Sequence, residues 1–245
     1  PDWLEAHFQM EHSFPSPSSI TRCRLQLWFT GRHQEPDQEI PASWKLRRLQ
    51  GILSEPLWFE LLGRANFEVD LPDRALPCDT MIAHPDTILD ATWPTELKSI
   101  TGVGFKKLLE GGGVAFEEPG HYAQLQLGLY AYKAEWGLYL ASAPDPGLLQ
   151  ADLRRKKRYG RLYEIDPIYV EWVKRDNGTI DDLLHRARML IKDQESDTPP
   201  PREYDGIPED PRTGRKTMPC GYCPFIETCN DTYEYREGLE TDWDD

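Results

Sequence analysis

Near its C-terminal end the chain reads Cys220-Gly-Tyr-Cys223-Pro-Phe-Ile-Glu-Thr-Cys229, a Cys-x2-Cys-x5-Cys triplet. Two residues between thiolates let a single turn present both sulfurs to one metal or cluster. The chain has 245 residues and five cysteines, an odd number. Pro1 to Ser19 shows no basic-then-apolar leader pattern. Together these features favour metal binding in a reducing, cytoplasmic setting over a disulfide framework. A tetrahedral zinc or a cubane cluster needs a fourth ligand. No histidine follows His185, so Cys23 and Cys78 remain. Cys78 adjoins Asp79 and is expected to pack in a sheet, whereas Cys23 falls on an expected N-terminal helix.

The length suits one large domain or a core with an appended lobe. No apolar run approaches the roughly 18–20 residues of a membrane span. With 8 Trp, 11 Tyr and 8 Phe the chain has the material for a packed core. The net charge is −14, from 42 acids against 28 bases, which argues against passive wrapping of duplex DNA. Much of the excess lies in the last residues, from Glu227 through Asp231, Glu234, Glu237, Glu240 and Asp242 to Asp244 and Asp245, and reads as a solvated tail. Bases cluster at Arg47–Arg48, Lys106–Lys107, Arg154 to Arg158, and Arg212 to Lys216.

Ser16 to Ser19 reads as a helix start, with Ile20, Leu25, Leu27 and Trp28 as the apolar face of a short helix carrying Cys23. A second helix begins at Ser43, kinks or restarts at Pro56, and ends near Gly63. Short segments follow, at Phe67 to Val69, Leu76 to Ile82, Thr87 to Leu89 and Thr95 to Ile100, and read as a strand meander. Gly102, Gly104 and the Gly111–Gly113 run mark loops. Gly120 to Glu135 predicts a helix, Gly137 to Ala143 and Arg161 to Ile165 strands, and Ile168 to Asp193 one or two helices. Ser196 to Pro208 is a Pro- and Asp-rich linker. The order predicts an α/β core with a mixed sheet.

Within that core, Glu96 and Lys98 are two residues apart in a strand, so both project from the same face while Leu97 points into the core. An Asp on a neighbouring strand would set two carboxylates within a few ångströms. They repel unless a hard divalent cation sits between them. Mg²⁺ or Mn²⁺ held this way can acidify a water and stabilise charge on a phosphoryl oxygen, and the Lys98 ammonium would assist. Asp79 is the preferred partner because Met81 and Ile82 follow it as in a strand; Asp86 and Asp90 are rivals. Gln126 and Tyr130 lie at i and i+4 on one helix face, and Glu55 stands one turn after Gly51.

Asp79, then Glu96-x-Lys98, then Gln126-x-x-x-Tyr130 resembles the RecB-type branch of the PD-(D/E)XK nuclease superfamily. The resemblance implies a restriction-endonuclease-like core, a mixed central sheet flanked by helices. It implies that Asp79 and Glu96 bind Mg²⁺ or Mn²⁺, that Lys98 assists the attacking water, and that Gln126 and Tyr130 orient the site and contact DNA. The family usually places a histidine four residues after a helix glycine; here Glu55 occupies that position, a carboxylate able to ligate the same ion, with Pro56 directly after it.

One upstream cysteine, the nuclease motifs and a C-terminal triplet resemble the iron–sulfur RecB-like exonucleases, which include CRISPR-associated single-strand exonucleases, phage-encoded relatives and the AddB nuclease domain. The likeness spans Ser16 to Cys229. It implies that Cys23, Cys220, Cys223 and Cys229 hold a structural [4Fe–4S] cluster, with zinc as the alternative. Tying Cys23 to Cys220 would remove roughly 4–5 kcal/mol of unfolded-state entropy. The expected organisation is an N-terminal helical part of the iron–sulfur lobe (1–40), the nuclease core (41–195), a linker (196–219), and the cysteine cluster with its acidic tail (220–245). The expected activity is metal-dependent exonucleolytic hydrolysis of single-stranded DNA ends, in the cytoplasm, or the host cytoplasm for a phage-encoded protein. Lys106, Lys107, Arg154, Arg155, Lys156, Lys157 and Arg158 are candidates to line the strand path. Without a Gly-x4-Gly-Lys-Ser/Thr loop, unwinding would come from a helicase or recombinase partner; self-association is compatible with the reading. Two alternatives are a non-catalytic DNA-end-binding subunit of a recombination or CRISPR-adaptation complex, and a zinc-stapled structural protein.

Overall fold

The computed structural model describes residues 14–39, 42–70, 76–143, 168–204 and 219–232. The chain divides into two units, one of Pro1–Thr21 with Lys45–Arg186, the other of Arg22–Trp44 with Ala187–Asp245. Among the described residues no helix is long and apolar enough to cross a membrane.

The first unit is built on a five-stranded sheet ordered β1-β4-β5-β6-β7, from β1 (Val69–Asp70), β4 (Thr87–Leu89), β5 (Trp93–Ser99), β6 (Trp136–Ser142) and β7 (Ile168–Lys174). A separate antiparallel pair joins β2 (Leu76–Cys78) to β3 (Met81–Ala83). The main sheet is mixed: β5 and β6 run parallel, the other neighbours antiparallel. Its two faces are set by period-2 alternation. Leu97, Leu138 and Leu140 pack on Trp58 and Leu62 of α2 (Ala42–Arg64). Tyr139 and Ala141 pack against Phe105 and Leu108 of α3 (Gly102–Glu110), Val114 of α4 (Val114–Glu117), and Leu125 and Leu129 of α5 (Pro119–Tyr132). Helices therefore cover both faces, and Glu96 and Lys98 share the Tyr139 side. Gly137 is required by close approach: a Cβ there would stand 2.7 Å from the Pro94 carbonyl and 2.9 Å from Leu129.

Several expectations are corrected. Residues 168–174 form a strand, not a helix, and α6 spans Asn177–Glu195; the run Ile-Tyr-Val-Glu-Trp-Val alternates between faces and is rich in β-branched and aromatic side chains. Gly102 and Gly104 lie in α3, started by the Thr101 hydroxyl, which accepts the Gly104 N–H at 3.2 Å. α2 continues through Pro56. A mid-helix proline costs about 3 kcal/mol, opposed here by burial of Ile52, Trp58 and Leu62 on either side of it. The expected strand at Arg161 to Ile165 lies outside the described residues.

In the second unit, α1 (Arg24–Gly31) begins just after Cys23, its N-cap, rather than at the serines. Leu25, Trp28 and Phe29 pack on Phe225. The Trp28 indole donates to the Asp193 carbonyl at 2.9 Å, and Arg24 pairs with the Asp193 carboxylate. Asp37 accepts the Thr228 N–H at 2.9 Å.

Candidate active site

β4 and β5 are antiparallel, with Thr87 opposite Thr95. Asp86 directly precedes β4, just beyond the last pair of that register, and its side chain reaches β5. Asp86 Oδ2 accepts the Leu97 N–H at 2.7 Å and lies 3.4 Å from Lys98 Nζ. Lys98 also pairs with Glu96, so one ammonium bridges two carboxylates. Glu96 is 1% exposed. Its carboxyl is pushed up to about 8 by burial and then by the Asp86 charge, with partial relief from Lys98. Burial works against the charge on Lys98, but Asp86 and Glu96 outweigh it and hold the amine above its ordinary range. Glu55, from α2, belongs to the same field: burial and then Asp86 push it to about 7, while Lys98 pulls it down.

The expected pairing of Asp79 with Glu96 on neighbouring strands does not occur. Asp79 occupies the turn between β2 and β3, outside the main sheet, exposed and in the left-handed region at φ 55°. Its charge raises the pKa of adjacent Cys78, after burial, to about 12. Asp90 is also a turn residue, and its carboxylate accepts the Glu68 N–H. Asp86 is the acid delivered to Glu96. The signal for it was the dipeptide Pro85-Asp86 directly before a strand, at the length that folds back onto Glu96.

Gln126 and Tyr130 do share a face of α5, but they serve another part of the sheet. Gln126 is fully buried, donates from Nε2 to the Lys174 carbonyl and accepts the Asp176 N–H, both at 2.8 Å. The Arg175 guanidinium lies 5.6 Å from the Tyr130 ring centre. Lys174 pairs with Trp136, three residues before the Tyr139 that pairs with Glu96, a distance of about 10 Å along the strand. The pair thus anchors the β7–α6 connection. Lys106 and Lys107 lie on α3; the Lys107 charge eases the burial-raised pKa of Glu118. Arg154, Arg155, Lys156, Lys157 and Arg158 lie outside the described residues.

His121 was missed in the sequence. Its Nδ1 lies 2.9 Å from the Tyr139 hydroxyl, and the two rings stack at 5.9 Å. Burial, then the Lys98 charge, pushes its pKa to about 3, so the imidazole is neutral beside the ammonium. No local pattern flags a histidine at the first turn of an apolar helix.

The thiols form a second locus, in the second unit. Cys23, Cys220, Cys223 and Cys229 line one cavity, together with Phe29, Phe225 and Arg202. All are free thiols. Cys223 is pushed up to about 11, chiefly by burial and then by the other three sulfurs, with a backbone N–H acting against the shift. Cys78 is elsewhere, buried and directed at the Leu127 carbonyl at 3.7 Å.

Among the described residues, no three or more His, Cys, Asp or Glu side chains close on a point that could hold one metal ion. The donor chemistry of both loci nonetheless fits a bound group. Glu55, Asp86 and Glu96 offer hard oxygen donors beside a single ammonium; burial first, and then the Asp86 charge, raises the pKa values of Glu55 and Glu96. Four free thiols facing one largely apolar cavity suit a group held by four thiolates.

No family model matches the chain, and no curated protein matches it in sequence. Among solved structures it is similar to the alkaline exonuclease LHK-Exo of Laribacter hongkongensis, at TM-score 0.49 and 16% identity over 79% of this chain and 92% of that one. The complex of LHK-Exo with dAMP gives TM-score 0.49 and 15% identity, over 74% and 87%. The protein SSO0001 gives TM-score 0.48 and 19% identity, over 91% and 90%.

Proposed function

We propose that this chain is a divalent-metal-dependent deoxyribonuclease that hydrolyses phosphodiester bonds at DNA ends, preferring single strands, with a [4Fe–4S] cluster as a structural staple in its second unit. The meeting of Asp86, Glu96 and Lys98 across β4 and β5, with Glu55 in the same field, carries the reading. When bound, Mg²⁺ or Mn²⁺ supplies Lewis acidity toward a phosphoryl oxygen and lowers the pKa of a water. Asp86, Glu96 and Glu55 would hold it. The main-chain N–H of Leu97 orients the Asp86 carboxylate, so its position does not depend on a flexible rotamer alone. Lys98 keeps its proton at Nζ, because two acids raise its pKa. It therefore offers positive charge and a hydrogen bond to the attacking water and to the charge growing on phosphorus-bound oxygen. His121, neutral, adds no second cation to repel Lys98. Preference for single-stranded ends and the identity of the cluster follow the resemblance of the motifs; the four thiols around one cavity support the staple.

The test is anaerobic purification, an absorption spectrum, and then end-labelled single- and double-stranded DNA with Mn²⁺. Cleavage from ends by the wild type, lost by about 100-fold or more in Lys98→Ala, is the expected result. Binding of ends without any cleavage would replace it with the non-catalytic reading.

A further inference from the structure

Arg202 and Glu203 are adjacent residues that line the cysteine cavity and bond two segments far apart in the chain. The Arg202 guanidinium donates to the Cys229 carbonyl at 2.9 Å and to the Asn230 Oδ1 at 2.8 Å. The Glu203 carboxylate accepts the Arg24 N–H at 2.8 Å, at the first residue of α1, directly after Cys23. Both side chains line the cavity that the four thiols share. The segment holding them is Pro199-Pro200-Pro201-Arg202-Glu203, and three successive prolines restrict the backbone that presents the pair. One dipeptide thereby bonds the main chain of Cys229 and that of Arg24, the residue after Cys23, nearly a whole chain apart in sequence.

We infer that Arg202 and Glu203 form a clasp that positions the four-thiol site, with Arg202 also serving as its counter-charge. The inference rests on the reading of that site as a metal or cluster centre. Four thiolates around either Zn²⁺ or a [4Fe–4S]²⁺ core leave two net negative charges. Arg202 is a cation beside them, lining the same cavity and hydrogen-bonded to the Cys229 carbonyl at 2.9 Å. Glu203 works differently. A carboxylate at the N-terminal end of α1 satisfies a free N–H and meets the positive end of the helix dipole, which fixes the residue next to Cys23. Partners of this kind, behind the ligands, typically govern metal affinity by 10–100-fold.

The experiment uses the full chain, reconstituted anaerobically with Fe²⁺ and sulfide, or separately with Zn²⁺. Metal content is measured, and then the loss of metal to a chelator over time, for wild type, Arg202→Gln, Arg202→Lys, Glu203→Gln and the control Arg32→Gln. Arg32 belongs to the same unit but bonds the Ser196 carbonyl instead of any cysteine. The expected result is metal loss about 10–100-fold faster in Arg202→Gln, smaller effects in Arg202→Lys and Glu203→Gln, and none in Arg32→Gln. Should Arg202→Gln fail to fold, Arg202→Lys and Glu203→Gln carry the comparison. Retention within twofold of wild type in both residues' variants overturns the clasp while leaving the metal centre standing. A wild type that takes up neither iron nor zinc overturns the metal centre and the clasp with it.

Discussion

Asp86 accepts the backbone N–H of Leu97 at 2.7 Å, and this one bond places its carboxylate beside Lys98, 3.4 Å from the amine. Leu97 itself points to the opposite face, into the Trp58 cluster. The strand thus uses its main chain to aim an acid at the side chains that flank Leu97 on either side.

That relationship separates Asp86 from Asp79. In Asp86→Asn the amide oxygen still accepts from Leu97, so the fold should persist while end cleavage in Mn²⁺ drops by about 100-fold or more. Asp86→Ala should also lower stability by about 1–3 kcal/mol, because a part-buried N–H loses its acceptor. Asp79→Asn should retain cleavage within a few-fold. A reversal, with Asp79→Asn inactive and Asp86→Asn active, would return the role to Asp79.

The raised carboxyl groups predict a pH dependence. Glu55 and Glu96 hold protons in the folded state up to about 7 and about 8, whereas the unfolded chain releases them near 4.3. Folded protein then binds more protons, and their contribution to stability falls as pH rises through that window. His121 acts oppositely, with a folded pKa near 3, so stability rises with pH up to its unfolded value of about 6.5. Above that only the carboxylates of this group still titrate. Without divalent metal, the unfolding midpoint of wild type should therefore drop from pH 6.5 to 8.5 by more than that of Glu55→Gln. Saturating Mg²⁺ or Mn²⁺ should raise the midpoint most at the upper end, by ~5–10 °C at about 100 times Kd. Equal slopes for variant and wild type in differential scanning calorimetry would contradict the acidic cluster.

Gln126 is predicted to matter for stability. Gln126→Ala leaves the Lys174 carbonyl and the Asp176 N–H without their partner and opens a buried void. A cost of about 2–4 kcal/mol follows, seen as a lower midpoint in urea. An unchanged midpoint together with lost cleavage would instead put Gln126 in the chemistry.

The cysteines sort by position. Cys23→Ser should lose most of its bound iron or zinc, as should Cys220→Ser. Cys78→Ser should keep wild-type metal content, because Cys78 faces the Leu127 carbonyl in the other unit. Metal analysis of purified variants decides it; retention in Cys23→Ser would break the four-thiol assignment.

Local pattern carried much of this. The two-residue spacing of Glu96 and Lys98 sufficed to place them on one face, since side-chain direction in a strand depends only on neighbouring peptide units. The close spacing of Cys220, Cys223 and Cys229 and the helix carrying Gln126 were legible for the same reason, as was a mixed α/β core. Pattern failed where the outcome depended on partners distant in the chain. Ile168 to Lys174 carried enough apolar residues to read as helix, and pairing with β6 made it a strand. Gln126 and Tyr130 were recognised as a pair, but their target was not, because the β7–α6 connection they meet lies some fifty residues onward.

The sequence by itself determined which residue types were available and which near neighbours share a face: an acid and an amine two apart in a strand, and three thiols within ten residues. Tertiary structure decided which aspartate meets Glu96 and Lys98, and it lines the triplet's cavity with Cys23, the fourth cysteine that the motif resemblance implied. The pairing of β4 with β5 and the Leu97 N–H brought Asp86, not Asp79, beside Lys98, and the packing of α1 on Phe225 brought Cys23, not Cys78, to the triplet. Those choices follow from backbone hydrogen bonds and apolar packing between segments far apart in the chain, and no short stretch of sequence contains both sides of such a contact.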